Sequence, residues 1–298
     1  MNRRDFVKLG SGALAAATLG PVALAAVDKP KKTPLHKAIM YATIGYPGSV
    51  MEKFKAVKAA GFEGVEPMSH MNQDDVVKAL ETTGLKAASV CCNTHWGSPL
   101  SDPDEKVRKA GLEGLSQTLK DAKRYGASSV LLVPGKVTDK VSYDDCWKRS
   151  IAEIKKIIPL AADLGVKIAI ENVWNGFIYT PEQAKNYLEE IGSPQVGWHF
   201  DIGNVYPRGV DPKKWVPAET WVAVLGKRIL KLHIKEFSKR VGFGVRFFEG
   251  DNNWPAIMKT LAKVGYDGWG ITEQPGNQAK DAATLAELSK RYDRILAS

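Results

Sequence analysis

The sequence predicts an α/β fold, a closed (β/α)8 TIM barrel built as a single domain. Three observations carry this expectation. Short apolar runs alternate with helical patterns eight times, one unit per roughly 30 residues. No strand is followed by a glycine fingerprint or a phosphate loop, which a doubly wound open sheet would be expected to show; Gly242-Phe243-Gly244 lacks a third glycine and does not sit between a strand end and a helix start. Acids and a histidine recur at the ends of four consecutive strands, the end at which such barrels place their chemistry. The 298 residues would permit two domains, but barrels of about 250 residues form one.

The elements follow in order. Ala38–Ile44 is the first strand, followed by a helix from about Val50 to Ala60. Gly64–Met68 is the second, with a helix from Gln73 to Thr82, and Lys86–Cys92 the third. Asp102-Pro103-Asp104 opens a long helix that Gly126 closes. Ser129–Val133 is the fourth strand. Ser142 with Asp145 three residues on resembles a capping box, and Ile151, Ile154, Ile157, Ile158, Ala161 and Leu164 recur at helical spacing, with Pro159 as a point of kinking. Val166–Val173 is the fifth strand, before a helix from Pro181 to Ile191, and Val196–Ile202 is the sixth. A helix near Pro212–Leu225 leads to the seventh, Ile229–Phe237. Trp254–Val264 leads to Gly268–Thr272, and a last helix runs from about Lys280 to Leu296.

Residues 1–26 stand outside this pattern. Arg3-Arg4-Asp5-Phe6-Val7-Lys8 fits a twin-arginine export signal, followed by a weakly apolar Gly/Ala/Leu stretch and small residues at Ala23-Leu24-Ala25. The stretch is short and rich in Gly and Ala, unlike a membrane anchor. Residues 27–37 form a polar, proline-containing lead-in, and 38–298 the barrel. A periplasmic or secreted protein is expected, with no membrane association once the signal is removed. That route exports folded proteins, one reason for which is a metal or cofactor loaded beforehand.

Composition excludes several classes. With 44% hydrophobic and 25% charged residues, the chain is neither disordered nor fibrous. The net charge is +9, yet the lysines and arginines are scattered along helices with no dense basic–aromatic tract, so nucleic acid is not an expected partner. Cys91, Cys92 and Cys146 cannot pair completely and read as small buried thiols.

The chemistry gathers at strand ends. Strand five ends Ile170-Glu171-Asn172, strand six Phe200-Asp201-Ile202, strand seven Leu232-His233-Ile234, and strand eight Thr272-Glu273-Gln274. Neighbouring strands lie about 4.8 Å apart, so inward groups at these ends can converge on one ion. One glutamate after an apolar strand is often a rim residue; four ligand-type residues at corresponding positions make a set. Two Glu, one Asp and one His are hard donors that suit Mn²⁺ first, with Mg²⁺, Co²⁺ and Zn²⁺ as alternatives.

Glu171-Asn172-Val173-Trp174, Asp201-Ile202-Gly203-Asn204, His233-Ile234-Lys235 and Glu273 resemble the metal quartet of the xylose-isomerase-like barrels, the sugar isomerase/epimerase superfamily that includes the ketose 3-epimerases. The resemblance covers roughly Ile39 to Leu296, and includes turns such as Gly61-Phe62-Glu63-Gly64 and Gly265-Tyr266-Asp267-Gly268. It implies a metal-dependent isomerase or epimerase of a small carbohydrate, working by proton transfer next to a ketose carbonyl through a metal-held cis-enediolate. Glu171 and Glu273 would act on opposite faces of the substrate, with Asp201 and His233 as ligands only. The chain departs from the ketose-epimerase pattern at Phe177, where that pattern has a second glutamate, at Asn204 for a histidine, at Lys239 for an arginine, and at Glu236 for an aspartate. These are the contacts that recognise a free ketose.

Other residues at the mouth are candidate substrate contacts: Glu66 after strand two, His95 and Trp96 after strand three, Trp174, Asn204, and Lys235 and Lys239 after strand seven. His199, two residues before Asp201, shares its face one layer deeper; His36 and His70 read as surface residues. The endonuclease branch of the superfamily needs several zinc-binding histidines, and five in the whole chain do not supply them. Two further outcomes keep the same site: a lyase or hydrolase of 3-keto-glycosides, which export favours, and a non-catalytic carbohydrate-binding barrel. Barrels of this type often pair, so a homo-oligomer is an open expectation.

Overall fold

The computed structural model describes residues 35–298. The twin-arginine segment and most of the lead-in lie outside the described residues. Nine short parallel strands surround one axis: β1 (His36–Met40), β2 (Gly64–Glu66), β3 (Lys86–Ala87), β4 (Val90–Cys91), β5 (Ser129–Leu132), β6 (Lys167–Glu171), β7 (Val196–Asp201), β8 (Ile229–Ile234) and β9 (Trp269–Thr272). Their order is β3-β2-β1-β9-β8-β7-β6-β5-β4. β3 and β4 are two halves of the third barrel strand, interrupted at Ala88-Ser89. The ring closes across that break: Ala88 N–H donates to Val65 O at 2.8 Å, Cys91 N–H to Pro67 O at 2.9 Å, and Ser69 N–H to Cys91 O at 2.8 Å. The barrel expected from the sequence is therefore the fold observed.

Eight helices pack outside: α1 (Val50–Ala59), α2 (Gln73–Thr83), α3 (Glu105–Tyr125), α4 (Tyr143–Leu164), α5 (Pro181–Ile191), α6 (Ala218–Leu225), α7 (Trp254–Val264) and α8 (Ala282–Leu296). Their starts are written in the sequence. Ser49, Asp104, Ser142, Thr180 and Asp281 each cap with a side-chain oxygen on a first-turn N–H. α4 runs through Pro159 without a break. The helix expected from Pro212 is shorter: a 3-10 turn at Pro212–Lys214 precedes α6, because Pro217 has no N–H to give and instead caps α6. β1 begins at His36, two residues before Ala38, since Lys37 points outward and its ammonium is held by Ser289 and Asp293 of α8. Cys91, Cys92 and Cys146 are free and buried.

Alternation along the strands sorts the core into two layers. A large apolar layer fills the space between strands and helices. Inside the ring, Ala38, Met40, Ala88, Cys91, Leu131, Val133 and Ile271 form a smaller apolar cluster. That cluster lines β1, β3, β4, β5 and β9. Glu171, His199, Asp201, Lys231 and His233 on β6, β7 and β8, and Glu66 at the end of β2, are polar and all buried. The polar side chains thus gather mainly on β6, β7 and β8.

Candidate metal centre at the barrel mouth

Strand register brings the four expected ligands together. Asp201 pairs with His233 across β7 and β8, His233 with Ile271 across β8 and β9, and Glu171 with His199 across β6 and β7. Glu273 follows β9, its N–H on Ile234 O. Glu171, Asp201, His233 and Glu273 each offer a ligand atom, and these atoms lie within 4.8 Å of one another. His233 Nδ1 is 2.7 Å from Glu171 Oε1, 3.1 Å from Glu273 Oε2 and 4.0 Å from Asp201 Oδ2. Three carboxylates and an imidazole in a buried cluster are a donor set for a hard divalent cation.

Asn172 and Asn204 fix the aspartate. Asp201 Oδ1 accepts the backbone N–H groups of Gly203 and Asn204 at 2.8 and 3.0 Å, and Oδ2 accepts Asn204 Nδ2 at 2.6 Å. Asn172 accepts Asp201 N–H at 3.0 Å and donates to Asp201 O at 2.9 Å. Lys235 Nζ bridges Asp201 Oδ2 and Glu273 Oε2 at 3.2 and 2.8 Å, so an ammonium sits among the acids.

The electrostatics are uneven. Burial pushes Glu171 up against the pull of His233, and it pushes Asp201 up to about 8 against the pull of Lys235. Burial also opposes ionisation of Glu273, but Lys235 and His233 outweigh it and hold that carboxyl well below the usual range. Burial opposes protonation of His233 and Lys235, and the surrounding acids override it in both. A bound divalent cation would be the largest local charge and would draw all three acids to their ionised form.

The other expected site residues fall into distinct places. Glu66 is fully buried beneath the quartet, with Oε2 2.9 Å from His233 Nε2. His199 lies in the same layer, its ring 4.2 Å from that of His233. His95 is buried and its Nδ1 accepts Val133 N–H at 3.3 Å; Trp96 packs edge-on against it and is 48% exposed. Asn204 uses its amide within the scaffold, on Asp201 and on Asn172 O at 3.0 Å. Trp174 donates to Asn204 O at 3.0 Å and packs at a tilt against Phe243 with centroids 4.8 Å apart. Lys235 lies 4.6 Å from the Phe243 ring, while Lys239 is exposed on the loop, 5.9 Å over Trp215.

Two departures from the ketose-epimerase pattern gain a structural account. Phe177 is buried among Tyr143, Trp147 and Tyr187, between the helices. Glu236 turns away from the mouth: it accepts N–H groups of Phe237, Phe248 and Asn252 and the Trp254 indole, organising the loop after β8. The structure adds residues the sequence reading passed over. Tyr206, Phe237 and Phe243 join Trp174 in an aromatic wall, with Arg208 5.6 Å from the Trp174 ring. Aromatic residues in loops after strands were the available signal.

The sequence matches the family of xylose isomerase-like TIM barrels over residues 54–292. The chain belongs to this family. Among curated relatives, an L-ribulose-5-phosphate 3-epimerase of Escherichia coli is 26% identical over 261 residues, covering 83% of this chain and 89% of the relative. Among solved structures, a 3-keto-D-glucoside 4-epimerase from E. coli superposes with a TM-score of 0.74 at 18% identity, covering 89% of this chain and 100% of its own. A D-psicose 3-epimerase from Clostridium cellulolyticum gives 0.72 at 17% identity, covering 88% of this chain and 98% of its own. At these identities the structural matches speak for the xylose isomerase-like fold alone.

Proposed function

We propose that the protein is a divalent-metal-dependent sugar isomerase or epimerase that moves a proton at the carbon beside a ketose carbonyl. The observation that carries this reading is the placement of Glu171 and Glu273, from different strands, within 2.7 and 3.1 Å of the same His233 nitrogen. The curated relative, a sugar-phosphate epimerase, points the same way. Inversion at carbon needs a proton acceptor on one face and a donor on the other, because a single base returns the proton to the face it left. Lys235 and His233 keep Glu273 ionised, the state of an acceptor. Glu171, Asp201, His233 and Glu273 would hold the cation, Mn²⁺ by preference, which supplies Lewis-acid polarisation of the carbonyl. Trp174 and Phe243 offer apolar faces for a sugar ring, and Lys235 a cation for its oxygens.

The test is deuterium incorporation from solvent beside the carbonyl across a panel of ketoses. Exchange is expected with Mn²⁺ and not after chelation, and Glu171→Gln and Glu273→Gln should each lower it by about 10²-fold or more. No exchange by the metal-loaded protein on any ketose sinks the proposal. A second reading has its own support. Phe177 and Asn204 are committed to packing and to Asp201, so two contacts that recognise a free ketose are missing. A 3-keto-glycoside is then the alternative substrate: loss of the proton from carbon 2, beside the keto group, breaks the C1–O bond and the substituent leaves with the glycosidic oxygen, so release of free sugar or aglycone from such a glycoside would distinguish it. The proposal extends to export by the twin-arginine route, which fractionation would test through a shortened periplasmic chain.

A further inference from the structure

One layer below the quartet lies an arrangement that a substrate contact does not explain. Glu66 closes β2 and is wholly buried, with Oε2 2.9 Å from His233 Nε2. His233 Nδ1 faces the other way, toward Glu171 and Glu273. A neutral imidazole has one lone pair and one N–H. When Nδ1 gives its lone pair to a cation, the proton sits on Nε2, and in a buried site that N–H needs an acceptor. Glu66 Oε2 is the acceptor in reach.

We infer that Glu66 is a positioning residue: its carboxylate accepts the His233 Nε2–H and thereby fixes the tautomer that presents Nδ1 to the divalent cation. This rests on the metal reading above. It also commits Glu66 Oε2 to His233 rather than to a substrate.

A competing arrangement uses the same atoms. Glu66, His199 and His233 have ligand atoms within 4.8 Å of one another, and Glu66 Oε1 and both His199 ring nitrogens are buried without a hydrogen-bond partner. A second cation there would need the Nε2 lone pair of His233 while Nδ1 serves the first, which demands an imidazolate. His199 Nδ1 stands 3.9 Å from Glu66 Oε1.

Mn²⁺ titration calorimetry on the purified protein separates these cases. Wild type is expected to take one ion per chain. Glu66→Gln keeps the shape and removes the charge, and should raise the Mn²⁺ Kd by 10–100-fold. His199→Gln perturbs the same buried layer without touching Nε2, and should leave Kd within about threefold. A measurement on wild type alone backs this up: with Zn²⁺ bound, the side-chain ¹⁵N spectrum should show His233 protonated at Nε2. Wild type that takes no ion removes the metal reading and this inference together. One ion per chain with an unchanged Kd in Glu66→Gln, an equal loss in both variants, or a proton on Nδ1 overturns the inference and leaves the metal reading standing. Two ions per chain, one lost in each variant, establishes the second cation in its place.

Discussion

His95, a candidate substrate contact, is a buried ring whose Nδ1 accepts the Val133 N–H. That bond needs an unprotonated Nδ1, which agrees with burial pushing the imidazole down to about 4. The unfolded chain takes up this proton near pH 6.5 and the folded chain does not, so the unfolded state binds more protons between pH 6.5 and 4. Stability contributed by neutral His95 is therefore complete above pH 6.5 and falls as the pH drops, by roughly 3 kcal/mol at pH 4. His95→Gln, which can still accept from Val133, should show a shallower loss over that window in denaturant titrations at stepped pH. Parallel curves for the two proteins would mean that His95 protonates freely in the fold. At this scale the sequence disclosed the four residues that cluster and hid their supports. Glu171, Asp201, His233 and Glu273 announce themselves through position at strand ends, whereas the scaffold roles of Asn204 and Glu66 depend on contacts 3, 32 and 167 residues away.

Most helices were legible because their caps are local chemistry: Ser142 and Asp145, or Thr180 and Gln183, meet within one turn. Breaks set by tertiary contacts were not legible. The third strand reads as one apolar run, Lys86–Cys92, yet splits at Ala88-Ser89, where Ala88 and Cys91 reach across to β2 and the residues after it. α3 shows a related constraint. Its first half packs against the loop that carries His95 and Trp96, and a Cβ on Gly111 would run into the backbone carbonyl of Ser98. Helix propensity alone favours alanine over glycine by about 1 kcal/mol, while overpacking against fixed backbone costs about 1–3 kcal/mol. Gly111→Ala is thus expected to be net destabilising by about 1 kcal/mol, lowering the melting temperature by roughly 2–4 °C. A variant that melts higher than wild type would show that the loop gives way freely and that only propensity counts.

The whole barrel carries an electrostatic load that no single element reveals. Glu66, Glu171, Asp201 and Glu273 converge inside the barrel on His233 and Lys235, the cations in direct contact with them. Burial, and after it the neighbouring carboxylates, oppose ionisation here and push Glu171 and Asp201 up. A divalent cation among them would relieve that opposition, and it would do so only in the folded chain, since the ligands come from β6, β7, β8 and the end of β9. Binding to the folded state alone stabilises it by about 2.7 kcal/mol when the free ion is at a hundred times its Kd. For a domain of this size that corresponds to a rise in melting temperature of roughly 5–10 °C. Calorimetric melts at pH 7 should therefore separate Mn²⁺-loaded from chelator-treated protein by that margin. Asp201→Asn, which removes the carboxylate held by Gly203 and Asn204, should abolish the difference. An identical shift in Asp201→Asn would place the stabilising ion elsewhere on the protein, and no shift in wild type would leave the four strand ends without the cation that their convergence calls for.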